Sequence, residues 1–217
     1  MTNLTRVSLL SVVCLTAAGA ATHAAPERQG GSTPGPAAQP QAGRGRGAGP
    51  AMTLVTPAFP DGGQIPVQFS QAAPGAAPGE GTSPALSWTN VPAGTQSLLL
   101  HMHDLDVSRN RTTEDQLHWL VWNIPPTATG LPEGVPRGAQ LKDGSFQVSA
   151  TGPVYRGPGA PAAGPLHHYV FELYALDIKL DVKPGEDAFQ TRTAVLDAIQ
   201  GHVLGKAVYS GLFRRPQ

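Results

Sequence analysis

Cysteine is almost missing. The 217 residues contain one, Cys14, inside an apolar stretch near the N-terminus. If that stretch is removed, no disulfide, thiolate nucleophile or thiolate metal site can be built, and burial alone must hold the core. Charge is also scarce, at 14% of residues, and balanced, with 15 Lys plus Arg against 15 Asp plus Glu. Arg6, Arg28, Arg44, Arg46 and Glu27 all precede residue 52; setting them aside leaves the remainder slightly acidic. No basic stripe with interleaved aromatics exists, which argues against nucleic-acid binding. After residue 24 no apolar run is long enough to span a bilayer, so no integral membrane span is expected.

Glycine and proline are plentiful, at 26 and 22 residues. The N-terminal "MTNLTR" carries one positive charge, and "VSLLSVVCLTAAGAA" follows, then small residues in "THAA". This is the pattern of a secretory signal over 1–24, which predicts a periplasmic or secreted protein. No small residue directly precedes Cys14, so no lipid anchor is assigned. Residues 25–51, rich in Pro, Gly, Ala and Gln, bury too little to offset their ordering entropy and read as a disordered leader. Residues 52–217 read as one domain.

Within that domain "SLLLHMHD", "LHWLVWNIP" and "HYVFELYALD" are near-continuous apolar runs, as expected of central strands covered on both faces. "KAVYSGLFRR" reads as a last strand. "TRTAVLDAIQG" predicts a helix with Thr191 or Thr193 as N-cap and Gly201 at its end. The fold class is mostly β, with one or two short helices near the C-terminus.

The stretch "HDLDVSRNRTTEDQLHWLVWN" joins two of these strands through about ten residues, a connection that suits antiparallel neighbours. It brings Asp104 and Asp106 to the start of the strand bearing His118. The third strand begins at His167, after the loop "TGPVYRGPGAPAAGPLH". If both loops share one end of the sheet, two carboxylates and two imidazoles converge. Carboxylates there would orient the rings, and amides around Gly157, Gly159 and Gly164 would face an anion. His101 and His103 project to one face and form a pair able to ligate a metal; placed near His118, Asp104 and His167, they define no motif, and no metal or cofactor is assigned. Trp119 is placed at the pocket rim, Trp88 and Trp122 in the core.

"FPDGGQIP", "SPALSWTNVPAGTQSLLL", "HDLD", "HWLVWNIP", "TGLPEG", "YRGPGAPAAGPLHHYVFELYALD" and "GHVLGKAVYSG" together resemble the phosphatidylethanolamine-binding protein family, in its bacterial, Raf-kinase-inhibitor-like branch. The resemblance implies a large antiparallel sheet with a smaller second sheet, and a pocket for phosphate or a phospholipid head group. The family's Asp-Pro-Asp-x-Pro is matched by Asp104, Asp106 and no proline, which leaves the following loop less rigid. Its pocket histidine is matched by His118, its His-Arg-Tyr by His167-His168-Tyr169, and its loop Gly-Pro by Gly157-Pro158. The ligand-binding set so implied is Asp104, Asp106, His118, Gly157, Pro158, His167 and Tyr169, with a small anionic or phosphate-bearing ligand. No catalytic residue is assigned. Two other functions are carried beside it: inhibition of a partner protein such as an extracytoplasmic protease, which would depend on surface loops rather than on the pocket, and an acid–base isomerase using His118 and Asp104 of the same pocket.

Overall fold

The computed structural model describes residues 50–217. The predicted signal, 1–24, and all but the last two residues of the predicted leader lie outside the described residues. In chain order the elements are β1 (Thr53–Val55), β2 (Gly63–Gln64), β3 (Leu86–Thr89), β4 (Ser97–Asp104), β5 (Gln116–Ile124), β6 (Gly130–Leu131), β7 (Phe146–Val148), β8 (His167–Leu176), α1 (Ala188–Ala198) and β9 (Val203–Phe213). Single 3₁₀ turns occur at Val67–Phe69 and Arg109–Arg111.

Six strands form one sheet in the order β2-β9-β8-β4-β5-β7, and three form a smaller sheet in the order β1-β3-β6. Pairing is antiparallel throughout, except where β2 runs parallel to β9. The three longest apolar runs become β4, β5 and β8, the middle of the large sheet. Their period of two divides them between two cores. Leu98, Leu100, Met102, Phe171 and Leu173 pack under the small sheet with Leu54, Leu86 and Trp88. Leu99, Leu117, Leu120, Trp122 and Leu176 pack on the opposite side with Val195 and Ile199, at and just beyond the end of α1.

Strand β5 breaks that period twice. Leu117 pairs with His103 and Trp119 with Met102, so His118 is an extra residue, a β-bulge. Leu117 faces α1 while His118 and Trp119 both turn to the other face. The second slip falls at Asn123, whose φ is 59°. Its side-chain amide exchanges two 2.8 Å hydrogen bonds with the Leu180 backbone, in place of a strand neighbour.

The helix is capped four residues before Thr191, the earlier of the two N-caps that its sequence pattern predicts. Its N-cap is Asp187, whose carboxylate accepts from the Phe189 and Gln190 amides at 2.7 and 3.0 Å. Thr191 and Thr193 lie inside, their hydroxyls donating back to the carbonyls four residues earlier. A charged acceptor beside free helix N–H groups outcompetes a threonine hydroxyl. Gly201, at φ 82°, turns the chain out of the helix toward β9.

Candidate functional site

The bulge brings His118 beside the end of β4 and the start of β8. Asp104 is the last residue of β4 and pairs in register with Tyr169 of β8. His167 Nδ1 donates to Asp104 Oδ2 at 2.8 Å, and Asp104 Oδ1 accepts the Asp106 amide at 3.0 Å. The His118 ring stands edge-on to Tyr169, with centroids 5.0 Å apart. His118 and Arg156 bond reciprocally: His118 Nδ1 donates to the Arg156 carbonyl at 2.9 Å, and the Arg156 amide donates to the His118 carbonyl at 3.1 Å. That bond sets the tautomer and leaves Nε2 as an acceptor. Burial pushes the His118 pKa down to about 4; the nearby Arg156 charge adds to this, and the carbonyl bond opposes it.

These side chains surround a cavity of about 160 Å³, whose wall also includes Gln71, Gln116 and Arg156. Its volume is about that of five waters, room for a phosphate-sized group but not for an acyl chain. Arg156 was not singled out in the sequence, yet it lines this cavity, and its buried Nε–H has no partner among the described residues. An unpaired buried guanidinium donor is costly and calls for an acceptor. The only sequence signal for it is an arginine directly before the Gly157-Pro158 loop. A groove of about 570 Å³ between residues 147–153 and 184–189 is larger, but its ionisable groups are Glu186 and Asp187, and Asp187 already caps α1.

Asp104, His118, His167 and Tyr169 line the cavity. Asp106 stands outside it, accepting from the His168 amide and ring. Gly157 and Pro158 lie behind the wall, where their carbonyls accept from the Gln71 side chain at 2.7 Å and its amide at 2.9 Å. A Cβ on Gly157 would come within 2.8 Å of the Ser70 backbone, so only glycine fits there. The loop amides do not face the cavity as expected. The N–H groups of Gly159 and Ala160 donate to the Tyr169 hydroxyl, each at 3.2 Å, and that of Gly164 to the Pro161 carbonyl. Trp119 is not at the rim: it is fully buried and donates to Gln147 Oε1 at 2.8 Å. His101 and His103 are not near His118 either. They project from β4 to the opposite face, where Glu172 lies across from His101. Among the described residues, two groups have donor atoms close enough for a cation: Asp104, Asp106 and His167; and His101, His103 and Glu172. In the first, His167 Nδ1 is already bonded to Asp104.

The sequence model of phosphatidylethanolamine-binding proteins matches residues 55–214. The chain belongs to the phosphatidylethanolamine-binding protein family. A protein of Methanothermobacter thermautotrophicus named UPF0098 protein is 43% identical over 166 residues, covering 76% of this chain and 99% of that one. A Mycobacterium tuberculosis protein named as a lipoprotein, LppC, is 32% identical over 182 residues, covering 83% of this chain and 77% of its own. Among solved structures, the phosphatidylethanolamine-binding protein homologue CT736 of Chlamydia trachomatis superimposes with a TM-score of 0.61 at 30% identity, over 76% of this chain and 98% of that one. YbcL of E. coli, a member of the same family, does so with a TM-score of 0.63 at 25% identity, over 76% and 99%. The two-sheet architecture and the helix near the C-terminus are those of this family. No helix among the described residues is long and apolar enough to cross a membrane.

Proposed function

We propose that the protein binds a small phosphate-bearing ligand in the cavity between His118 and His167, and does so outside the cytoplasm. The observation that carries this reading is that Arg156, whose buried Nε–H has no partner among the described residues, lines a cavity that also holds the Asp104–His167 pair. Arg156 supplies a fixed positive charge that suits phosphate geometry. His167, oriented by Asp104, donates through Nε2 when its ring is protonated. His118, held neutral by burial, offers an acceptor at Nε2. Cation, donor and acceptor side by side suit a ligand with both an anionic oxygen and a proton to share, such as a phosphomonoester monoanion or a phosphoethanolamine group. The family name points to the same head group. Export is supported by the signal-like N-terminus and by the relative named as a lipoprotein.

Melting in the presence of inorganic phosphate and of phosphoethanolamine tests this. Ligand at a hundred times its Kd stabilises by about 2.7 kcal/mol, a rise of roughly 5–10 °C for a domain of this size. The wild type should show such a rise. Arg156→Gln, which keeps the backbone bonds to His118, and the double variant His118→Ala, His167→Ala should not. An equal rise in all three proteins would refute the pocket. Turnover of the ligand by the wild type that is lost in the double variant would favour the acid–base enzyme reading of the same groups.

A further inference from the structure

On the face of the large sheet away from the cavity, two histidines and a glutamate remain without a role. His101 and His103 of β4 are 4% and 8% exposed, with rings stacked 4.3 Å apart. The Nε2 atoms of both are buried and have no hydrogen-bond partner among the described residues; that of His103 is the one turned toward Glu172, whereas His101 turns Nδ1 toward it. Glu172 Oε2 lies 3.5 Å from His103 Nε2 and 3.8 Å from His101 Nδ1. Those separations are long for hydrogen bonds, which cluster near 2.9 Å. They are close to the edge of a tetrahedron around zinc, about 3.4 Å for bonds of 2.0–2.1 Å. All three donor atoms lie within 4.8 Å of one another.

The surroundings are those of an oriented ligand set. His103 Nδ1 donates to Asp115, and Arg192 of α1 holds that carboxylate at 2.7 Å. A carboxylate behind a histidine fixes its tautomer and aims the other nitrogen at a metal. Tyr174 donates to Glu172 Oε2 at 2.7 Å, which fixes the carboxylate. Lys206 bonds Glu172 Oε1 from β9, and its side chain is partly exposed, so it can turn to solvent when a cation arrives.

We propose that His101, His103 and Glu172 form a binding site for a divalent late first-row metal ion, with zinc as the fitting case and water in the fourth position. Two imidazoles and a carboxylate, without thiolate, suit zinc, cobalt or nickel far better than magnesium or calcium. Asp115 is a positioning residue for this site, and Lys206 is its competing cation. The site is independent of phosphate binding, being on the other side of the sheet.

Cobalt(II) is the probe, because tetrahedral coordination gives it strong visible bands. The full chain, without a polyhistidine tag and stripped with chelator, should take up one equivalent, and zinc should displace it. His103→Gln and Glu172→Gln should weaken uptake at least about tenfold and remove the bands. Asp115→Asn should weaken uptake while keeping tetrahedral bands. The double variant His118→Ala, His167→Ala should bind cobalt as the wild type does. Lys206→Met, an exposed change that spares the core, should tighten binding a few-fold, which no folding defect can mimic. The proposal is overturned if the wild type takes up no cobalt, if the bands survive Glu172→Gln, if the pocket double variant is the one that loses them, or if Lys206→Met leaves affinity unchanged.

Discussion

A histidine that is 2% exposed, with Nδ1 committed to the Arg156 carbonyl, stays neutral in the folded chain down to a pH near 4. Unfolded, the same ring takes up a proton near 6.5. Between those values the unfolded state binds one more proton, so stability falls as pH falls through this window and levels off below it. The contribution of His118 is on the order of 3 kcal/mol across the window. His101 has the same sign, its pKa also lowered chiefly by burial, so the wild-type slope contains both. Urea unfolding at pH 4.5, 5.5 and 6.5 on wild type and His118→Gln separates them: the variant should lose part of the acid-side slope. An unchanged slope would mean that His118 is already charged in the fold, which would remove the acceptor from the cavity. The acids behave differently. Asp106 and Asp115 are held below the usual carboxylate range by hydrogen bonds that outweigh burial, so their contributions are lost only at lower pH.

The elements show what a sequence displays and what it hides. β4, β5 and β8 are legible because an apolar run of strand length has few other solutions, and the eleven-residue link between β4 and β5 suits an antiparallel pair. The bulge at His118 was hidden. Period two alone would have sent His118 to the face opposite Trp119, and only the pairing with β4 shows that both turn inward. The same alternation separates His101 and His103 from Asp104, and a reading by chain proximity merged them. Arg156 was invisible for another reason: its backbone pairs with a residue 38 positions away, and nothing local marks that partnership. The sequence pattern starts α1 too late because Thr191 and Thr193 stand directly before the apolar periodic positions, whereas Asp187, the stronger cap, stands a turn ahead of them. The position of the cap is testable. Asp187→Ala should lower the midpoint of urea unfolding, monitored by circular dichroism, clearly more than Thr193→Ala does. Equal losses would contradict the cap.

At the scale of the molecule, one sheet separates two environments. Its inner face, under the small sheet, holds a closed core that ends in the cavity at the rim shared by β4, β5 and β8. Its outer face is covered by α1 over one part and open over the rest, where Val208 is 49% exposed beside Glu172. Hence a ligand in the cavity and an ion on the outer face would each stabilise the same sheet without touching one another. The central claim is that phosphate enters the inner site. Long-range proton–nitrogen spectra of the histidine rings, recorded while phosphoethanolamine is added to the full chain, test it most directly. His118 and His167 should shift together and saturate with one ligand, while His101, His103 and the partly exposed His202 stay in place. If the ligand leaves His118 and His167 unmoved, or moves only the exposed His168 and the partly exposed His202, the cavity is not a phosphate site and the account fails.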